Sequence, residues 1–115
     1  MGTDSTWIDD PIGSEDCTIR TRQGTVAEPD SWLVLTHDHL RDPDDFVTVS
    51  SGPPHLYAQA FNDAGRLLLE YRDGSPDRHF QTSGVAIDEV ATALEQWFLG
   101  RREFIGDHAW TRIET

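Results

Sequence analysis

The chain has 115 residues and a mass of 13.0 kDa, which suffices for one domain with its own core and excludes a two-domain enzyme. Apolar residues make up 37% and charged residues 26%, a composition typical of folded globular domains. The formal charge is −12, from 21 acidic and 9 basic residues. We therefore expect the protein to repel nucleic-acid phosphates and anionic lipids and to attract basic partners.

The N-terminus and the cysteine content bear on where in the cell the protein is found. Residues 1–4 have neither the basic start nor the apolar run of a secretory signal, and no later stretch has the apolar length that crosses a bilayer. Cys17 is the single cysteine, so no internal disulfide can form. These features predict a cytoplasmic protein without membrane contact.

The N-terminal part of the chain carries most of the charge. Residues 1–45 hold eleven acidic and three basic residues, a net charge of −8. Residues 1–16 show no periodicity and are predicted as a loose acidic N-terminal arm, with a single α+β domain spanning residues 17–115. Alternation over residues 17–22 predicts a short strand, and the apolar run over residues 31–36 has the length of a second strand.

Extended segments dominate the middle of the chain. Turn residues stand at 62–65 (Asn-Asp-Ala-Gly) and at 73–76 (Asp-Gly-Ser-Pro). These two turns and the Gly-Pro-Pro sequence at 52–54 divide the region into four extended segments. The segments are residues 46–50, 55–61, 66–72 and 77–82. Strands joined by tight turns predict an antiparallel meander.

After residue 84 the spacing of apolar residues changes from every second residue to helical spacing, which predicts a helix. Apolar residues from Ile87 to Phe98 recur at helical spacing, acidic residues stand near the start, and Gly100 offers a C-terminal cap. Residues 110–113 are compatible with a last short strand. The predicted fold is a two-layer α+β domain, with a curled antiparallel sheet of about five strands and one C-terminal amphipathic helix on one face.

Two histidines after the predicted strand at 31–36 form the one candidate metal site. His37 and His39 would project to the same side of a strand, with Asp42 nearby, and two histidines with carboxylates can hold a divalent ion. The sequence departs from the metal-binding motif of metallo-β-lactamase-type hydrolases, because Arg41 and Asp42 stand where that motif has Asp and His, and a cation thus replaces a ligand or base. An exposed polar loop explains the same residues without a metal.

The turn at 73–76 concentrates residue types that are enriched at protein interfaces. Arginine and tyrosine flank the turn, with aspartates that can pair with the arginines across it. The candidate partner-binding residues are Glu70, Tyr71, Arg72, Asp73, Asp77 and Arg78, together with Trp97 on the predicted helix. A charge-compensated hairpin without a partner is the alternative interpretation.

Residues 55–100, with the hairpin Leu-Leu-Glu-Tyr-Arg-Asp-Gly-Ser-Pro-Asp-Arg-His-Phe and a helix ending in Trp-Phe-Leu-Gly, resemble small actinobacterial proteins of unassigned role. They also distantly resemble the Imm1-type immunity proteins of bacterial toxin systems. The resemblance implies a strand, turn and helix whose acidic and Trp residues engage a toxin. Glu70 and Trp97 are the matching positions in this chain.

The charge and the resemblance favour the same class of function. We expect a non-enzymatic acidic protein-binding module without a cofactor, in its narrower form an immunity-type inhibitor of a basic toxin or enzyme. The alternative is a small metal- or ligand-binding domain that uses the His37/His39 region. A homodimer formed by pairing of edge strands is a third possibility.

Overall fold

The computed structural model describes residues 17–113, so the predicted N-terminal arm lies outside the described residues. Within residues 17–113, seven strands form one antiparallel sheet in the spatial order β2-β1-β3-β4-β5-β6-β7. The strands are β1 (Thr18–Thr21), β2 (Gly24–Val26), β3 (Phe46–Ser50), β4 (Leu56–Asp63), β5 (Arg66–Asp73), β6 (His79–Ser83) and β7 (Thr111–Arg112). The helices of this part of the chain are α1 (Trp32–His39), α2 (Ile87–Phe98) and a 3₁₀ helix (Glu103–Asp107). None of them is long and apolar enough to span a membrane.

The predicted α+β class is confirmed, and the described residues contain more strands and one more α-helix than the sequence predicted. The strands expected at residues 17–22, 46–50, 55–61, 66–72 and 77–82 are present, as is the helix expected from Ile87. Strand β2 was not predicted, because three residues are too few to show a period.

Alternation along the strands gives the sheet two different faces. On one face lie the buried side chains of the central strands, namely Ile19, Thr21, Val47, Val49, Ala58, Ala60, Asn62, Leu69 and Tyr71. Both α-helices pack their buried residues against this face and form one core with it. No described element packs on the opposite face, which we call the uncovered face.

Asn62 joins the meander to the segment after α1. Its carbonyl oxygen Oδ1 accepts a hydrogen bond from the backbone N–H of Gly65 at 2.6 Å, which closes the β4–β5 turn. Positive φ angles of 54° at Ala64 and 97° at Gly65 complete that turn. The Asn62 amide Nδ2 donates to the carbonyl of Leu40 at 2.8 Å. One buried side chain therefore fixes both the turn and the end of α1.

The prediction of a strand at residues 31–36 is wrong, because this segment forms helix α1. The Ser31 hydroxyl accepts a hydrogen bond from the backbone N–H of Val34 at 3.2 Å and caps the helix. Trp32 and Leu35 turn toward the core, where the Trp32 ring lies 5.3 Å from the ring of Phe98. The apolar residues 32–35 are consecutive and point to all sides of the helix. Their spacing therefore does not distinguish a helix from a strand.

Aromatic side chains fill the core beside α2. Trp97 is completely buried, and its indole N–H donates to the Ser51 hydroxyl at 2.9 Å. The ring of Tyr71 lies between 4.8 and 6.0 Å from four other rings. These rings belong to Phe80, Trp97, Phe104 and Trp110. The C-terminal segment after α2 is thereby held against the sheet.

Candidate functional site

The structure divides the predicted partner-binding residues between the two faces of the sheet. Glu70 and Arg72 lie on the uncovered face, whereas Tyr71, between them on β5, points into the core with only 6% of its surface exposed. Trp97 has 0% of its surface exposed. Two of the seven predicted residues are therefore core residues that offer a partner no accessible side chain. Burial also raises the pKa of Tyr71, and the nearby Asp73 carboxylate adds to this effect.

The charged residues at the tip of the β5–β6 hairpin interact with near neighbours. Arg78 Nη2 lies 3.5 Å from Asp73 Oδ2. The Ser75 hydroxyl donates to Asp77 Oδ1 at 2.6 Å, and this hydrogen bond lowers the pKa of the Asp77 carboxyl. The tip thus has the charge compensation that the sequence allowed as its alternative interpretation.

The β5–β6 hairpin carries a hydrogen-bonded cluster on the uncovered face, and this cluster also includes His55. His79 Nε2 lies 2.8 Å from Glu70 Oε1, and Arg72 Nη2 donates to His79 Nδ1 at 3.0 Å. Arg72 Nη1 donates to His55 Nδ1 at 2.9 Å. The Arg72 guanidinium also lies 5.7 Å from the centre of the Tyr57 ring.

Arginine can only donate hydrogen bonds, so the Nδ1 atoms that face Arg72 act as acceptors. Both ring nitrogens of His79 are consequently engaged, one by Arg72 and one by Glu70. His79 is buried, with 6% of its surface exposed. The arrangement holds the His79 ring between Arg72 and Glu70.

The predicted metal-ligand residues do not converge. His37 and His39 lie in α1, where the side chains of residues two apart point about 160° away from each other around the helix axis. Asp42 follows in an exposed loop, where its backbone N–H donates to Asp45 Oδ2. In the described part of the chain, no group of three or more His, Cys, Asp or Glu residues is placed to hold a metal ion.

Helix α1 presents an apolar surface that the sequence did not reveal. Within residues 17–113 the exposed large hydrophobic residues are Leu33, Val34 and Leu99, with 43%, 56% and 47% of their surfaces accessible. Leu33 and Val34 are neighbours, and they are exposed because Trp32 and Leu35 occupy the side of the helix that packs on the core. The capping residue Ser31 was the one signal of a helix at this place in the sequence.

Grooves with acidic walls flank this apolar surface. One groove, of about 340 Å³, lies between α1 and α2, and another, of about 320 Å³, lies on the other side of α1. Their lining residues include no arginine, whereas four exposed carboxylates line them, from Asp30, Asp38, Asp88 and Glu95. We call Leu33, Val34 and these four acidic residues the α1 surface.

Comparisons with protein-family models, curated proteins and solved structures find no match to this chain. The interpretation of the α1 surface and the uncovered face therefore depends on their own geometry and chemistry.

Proposed function

We propose that this protein is a non-enzymatic protein-binding module that binds a basic protein through the α1 surface. The observation that carries the proposal is the pair of exposed apolar side chains, Leu33 and Val34, between two grooves with acidic walls. A complementary partner would present one or two apolar side chains surrounded by lysine or arginine.

Each part of the α1 surface has a distinct role in this binding. Full burial of a leucine or valine side chain contributes roughly 1.5–3 kcal/mol, so Leu33 and Val34, which are about half exposed, would contribute about 1 kcal/mol each. The carboxylates of Asp30, Asp38, Asp88 and Glu95 would attract cations and mainly increase the rate of association. Acidic residues elsewhere in the chain, which bring the total charge to −12, extend that attraction to longer range.

The narrower form of the proposal is an immunity-type inhibitor of a basic toxin or enzyme that acts in the cytoplasm. Its support is the resemblance of residues 55–100 to immunity proteins, together with the acidic charge that suits a cationic target. The proposed contact lies on α1, however, and not on the hairpin that carries the resemblance. The α1 helix packs on α2 and near β3, whereas the hairpin belongs to strands β5 and β6.

The experiment is affinity capture from the organism that encodes the chain, followed by titration of each captured protein against purified variants. We expect a protein with an excess of Lys and Arg, whose dissociation constant increases about tenfold or more for the double variant Leu33→Ser/Val34→Ser, since that change removes about 2 kcal/mol of apolar contact. Binding should also weaken as the salt concentration rises.

Leu99→Ser is the matched control, because Leu99 is a similarly exposed leucine that lies outside the α1 surface. It should leave the affinity unchanged. Capture of acidic proteins only, or equal losses of affinity for the control and the double variant, would show that the α1 surface is not the binding site.

A further inference from the structure

The uncovered face holds a pocket at the half of the sheet formed by β1, β2, β3 and β4. Its volume is about 630 Å³, within the range of pockets that bind small molecules. Arg20, Thr48 and Gln59 stand side by side in register across β1, β3 and β4 and contribute to its floor. Phe46 and Tyr57 contribute apolar walls.

The chemistry of this pocket is opposite to that of the protein as a whole. Its lining residues in the described part of the chain include Arg20 and Arg22 and no acidic residue, although the chain has 21 acidic residues. Arg22 is partly neutralised, because its Nη1 lies 3.4 Å from Asp45 Oδ1. Arg20 is exposed and, within residues 17–113, its guanidinium has no hydrogen-bond or ion-pair partner. The pocket therefore offers a positive charge that no described residue pairs with.

A second donor, the side-chain amide of Gln59, lies two strands from Arg20, on the other side of Thr48. The Thr48 hydroxyl donates to Gln59 Oε1 at 2.7 Å, which orients the amide group and leaves its nitrogen to donate into the pocket. A guanidinium and an amide N–H₂ on one floor form a donor set that suits a carboxylate or phosphate group.

Neighbouring side chains of the uncovered face hold the Tyr57 wall of the pocket in place. The centre of the Tyr57 ring lies 5.7 Å from the Arg72 guanidinium carbon and 6.0 Å from the centre of the His79 ring, to which it is nearly perpendicular. Arg72 and His79 are themselves fixed by the hydrogen bonds to His55 and Glu70. The hydrogen-bonded cluster on the β5–β6 hairpin therefore orients an aromatic wall, so that a ligand need not order this wall when it binds.

We infer that this pocket binds a small organic anion. The carboxylate or phosphate group of the ligand would contact Arg20 and Gln59, and a flat apolar portion would lie against Phe46 and Tyr57. The inference is independent of the proposed function, because the pocket and the α1 surface lie on opposite sides of the sheet.

The experiment uses benzoate, phenyl phosphate, inorganic phosphate and benzyl alcohol as probes, titrated into the ¹⁵N-labelled protein. We expect benzoate or phenyl phosphate to shift the resonances of Arg20, Thr48, Tyr57 and Gln59 with a dissociation constant of about 1 mM or lower. Inorganic phosphate should bind more weakly because it lacks the ring, and neutral benzyl alcohol more weakly because it lacks the charge.

Arg20→Gln should weaken binding of the anionic probe at least tenfold. Arg41→Gln is the control, since Arg41 is an exposed arginine outside the pocket and its substitution changes the net charge equally. The inference is overturned if neither aromatic anion shifts these resonances, if benzyl alcohol binds as tightly as benzoate, or if both variants lose affinity to the same extent.

Discussion

Leu33 and Leu35 are two residues apart and give a direct test of the helical structure of residues 32–39. In a strand both side chains would point to the same face, and their replacement by alanine would have similar effects. In helix α1 they differ, because Leu35 has 8% and Leu33 has 43% of its surface exposed. Substitution of each leucine by alanine in separate variants therefore distinguishes the two structures.

The size of the difference follows from burial. Replacement of a buried leucine by alanine costs about 2–5 kcal/mol, and Leu35 belongs to the hydrophobic core, so we expect a loss of about 3 kcal/mol. Leu33 makes fewer contacts with the core, and alanine favours helix formation slightly more than leucine does. We expect Leu33→Ala to lower the free energy of unfolding by about 1 kcal/mol or less.

Urea unfolding followed by tryptophan fluorescence measures both losses. With an m-value of about 1.5 kcal/mol/M, Leu35→Ala should lower the urea midpoint by about 2 M and Leu33→Ala by less than about 0.7 M. An unchanged m-value in both variants would indicate that their denatured states are as compact as that of the original chain. Equal losses, or a greater loss for Leu33→Ala, would refute the helix and with it the exposed position of Leu33 on which the proposed function depends.

Two further changes test the core. Ser51→Ala removes the acceptor of the buried Trp97 indole N–H, so we expect a loss of about 1–3 kcal/mol in the free energy of unfolding; a loss below about 0.5 kcal/mol would contradict the bond. Burial raises the pKa of Tyr71 above its ordinary value of 10.0 in the folded chain. Below pH 10 the Tyr71 hydroxyl is therefore neutral in both the folded and the unfolded chain, and its stabilising effect is fully present there. Above pH 10 the unfolded chain ionises first and stability falls, so Tyr71→Phe should reduce the decline in urea midpoint between about pH 9 and pH 11, and an identical decline would disprove the buried position.

The meander was predictable because its signals are local. Residues 46–50 alternate, and the Asn62-Asp63-Ala64-Gly65 sequence contains both the side chain that closes its turn and the residue that takes positive φ most easily. Helix α2 was predictable for the same reason, since its apolar residues recur at helical spacing over three turns. In these segments the local preference and the tertiary environment favour the same structure.

Helix α1 was not predictable from periodicity. Its apolar residues surround the helix, because Trp32 and Leu35 face the core while Leu33 and Val34 face outward. A short apolar run of this kind is compatible with a buried strand, and only the capping position of Ser31 indicates a helix. The exposed apolar pair is thus both the reason for the error and the feature from which the proposed function follows.

The candidate sites depend on contacts between distant residues, and this limited their prediction. Because successive side chains of a strand point to opposite faces, the sequence of β5 was sufficient to assign Tyr71 and Arg72 to different faces of the sheet. It could also have placed Tyr71 in the core. The contact between Arg72 and His55 was not accessible in that way, because it requires the register of β4 against β5, in which Leu56 lies opposite Asp73. The pocket around Arg20 requires the pairing of β1 with β3, which are separated along the chain by β2 and α1.

Net charge alone therefore describes the binding properties of this protein incompletely. Before contact, over distances up to about the Debye length of about 8 Å at physiological salt, the total charge of −12 favours the approach of cations. At contact distance the local side chains decide, and there the α1 surface has four carboxylates while the pocket on the uncovered face has Arg20 and no acidic lining residue in the described part of the chain. Salt screens the long-range attraction of a basic partner and equally the long-range repulsion of an anion. A basic protein at the α1 surface should consequently lose affinity more steeply with salt than a small anion in the pocket does.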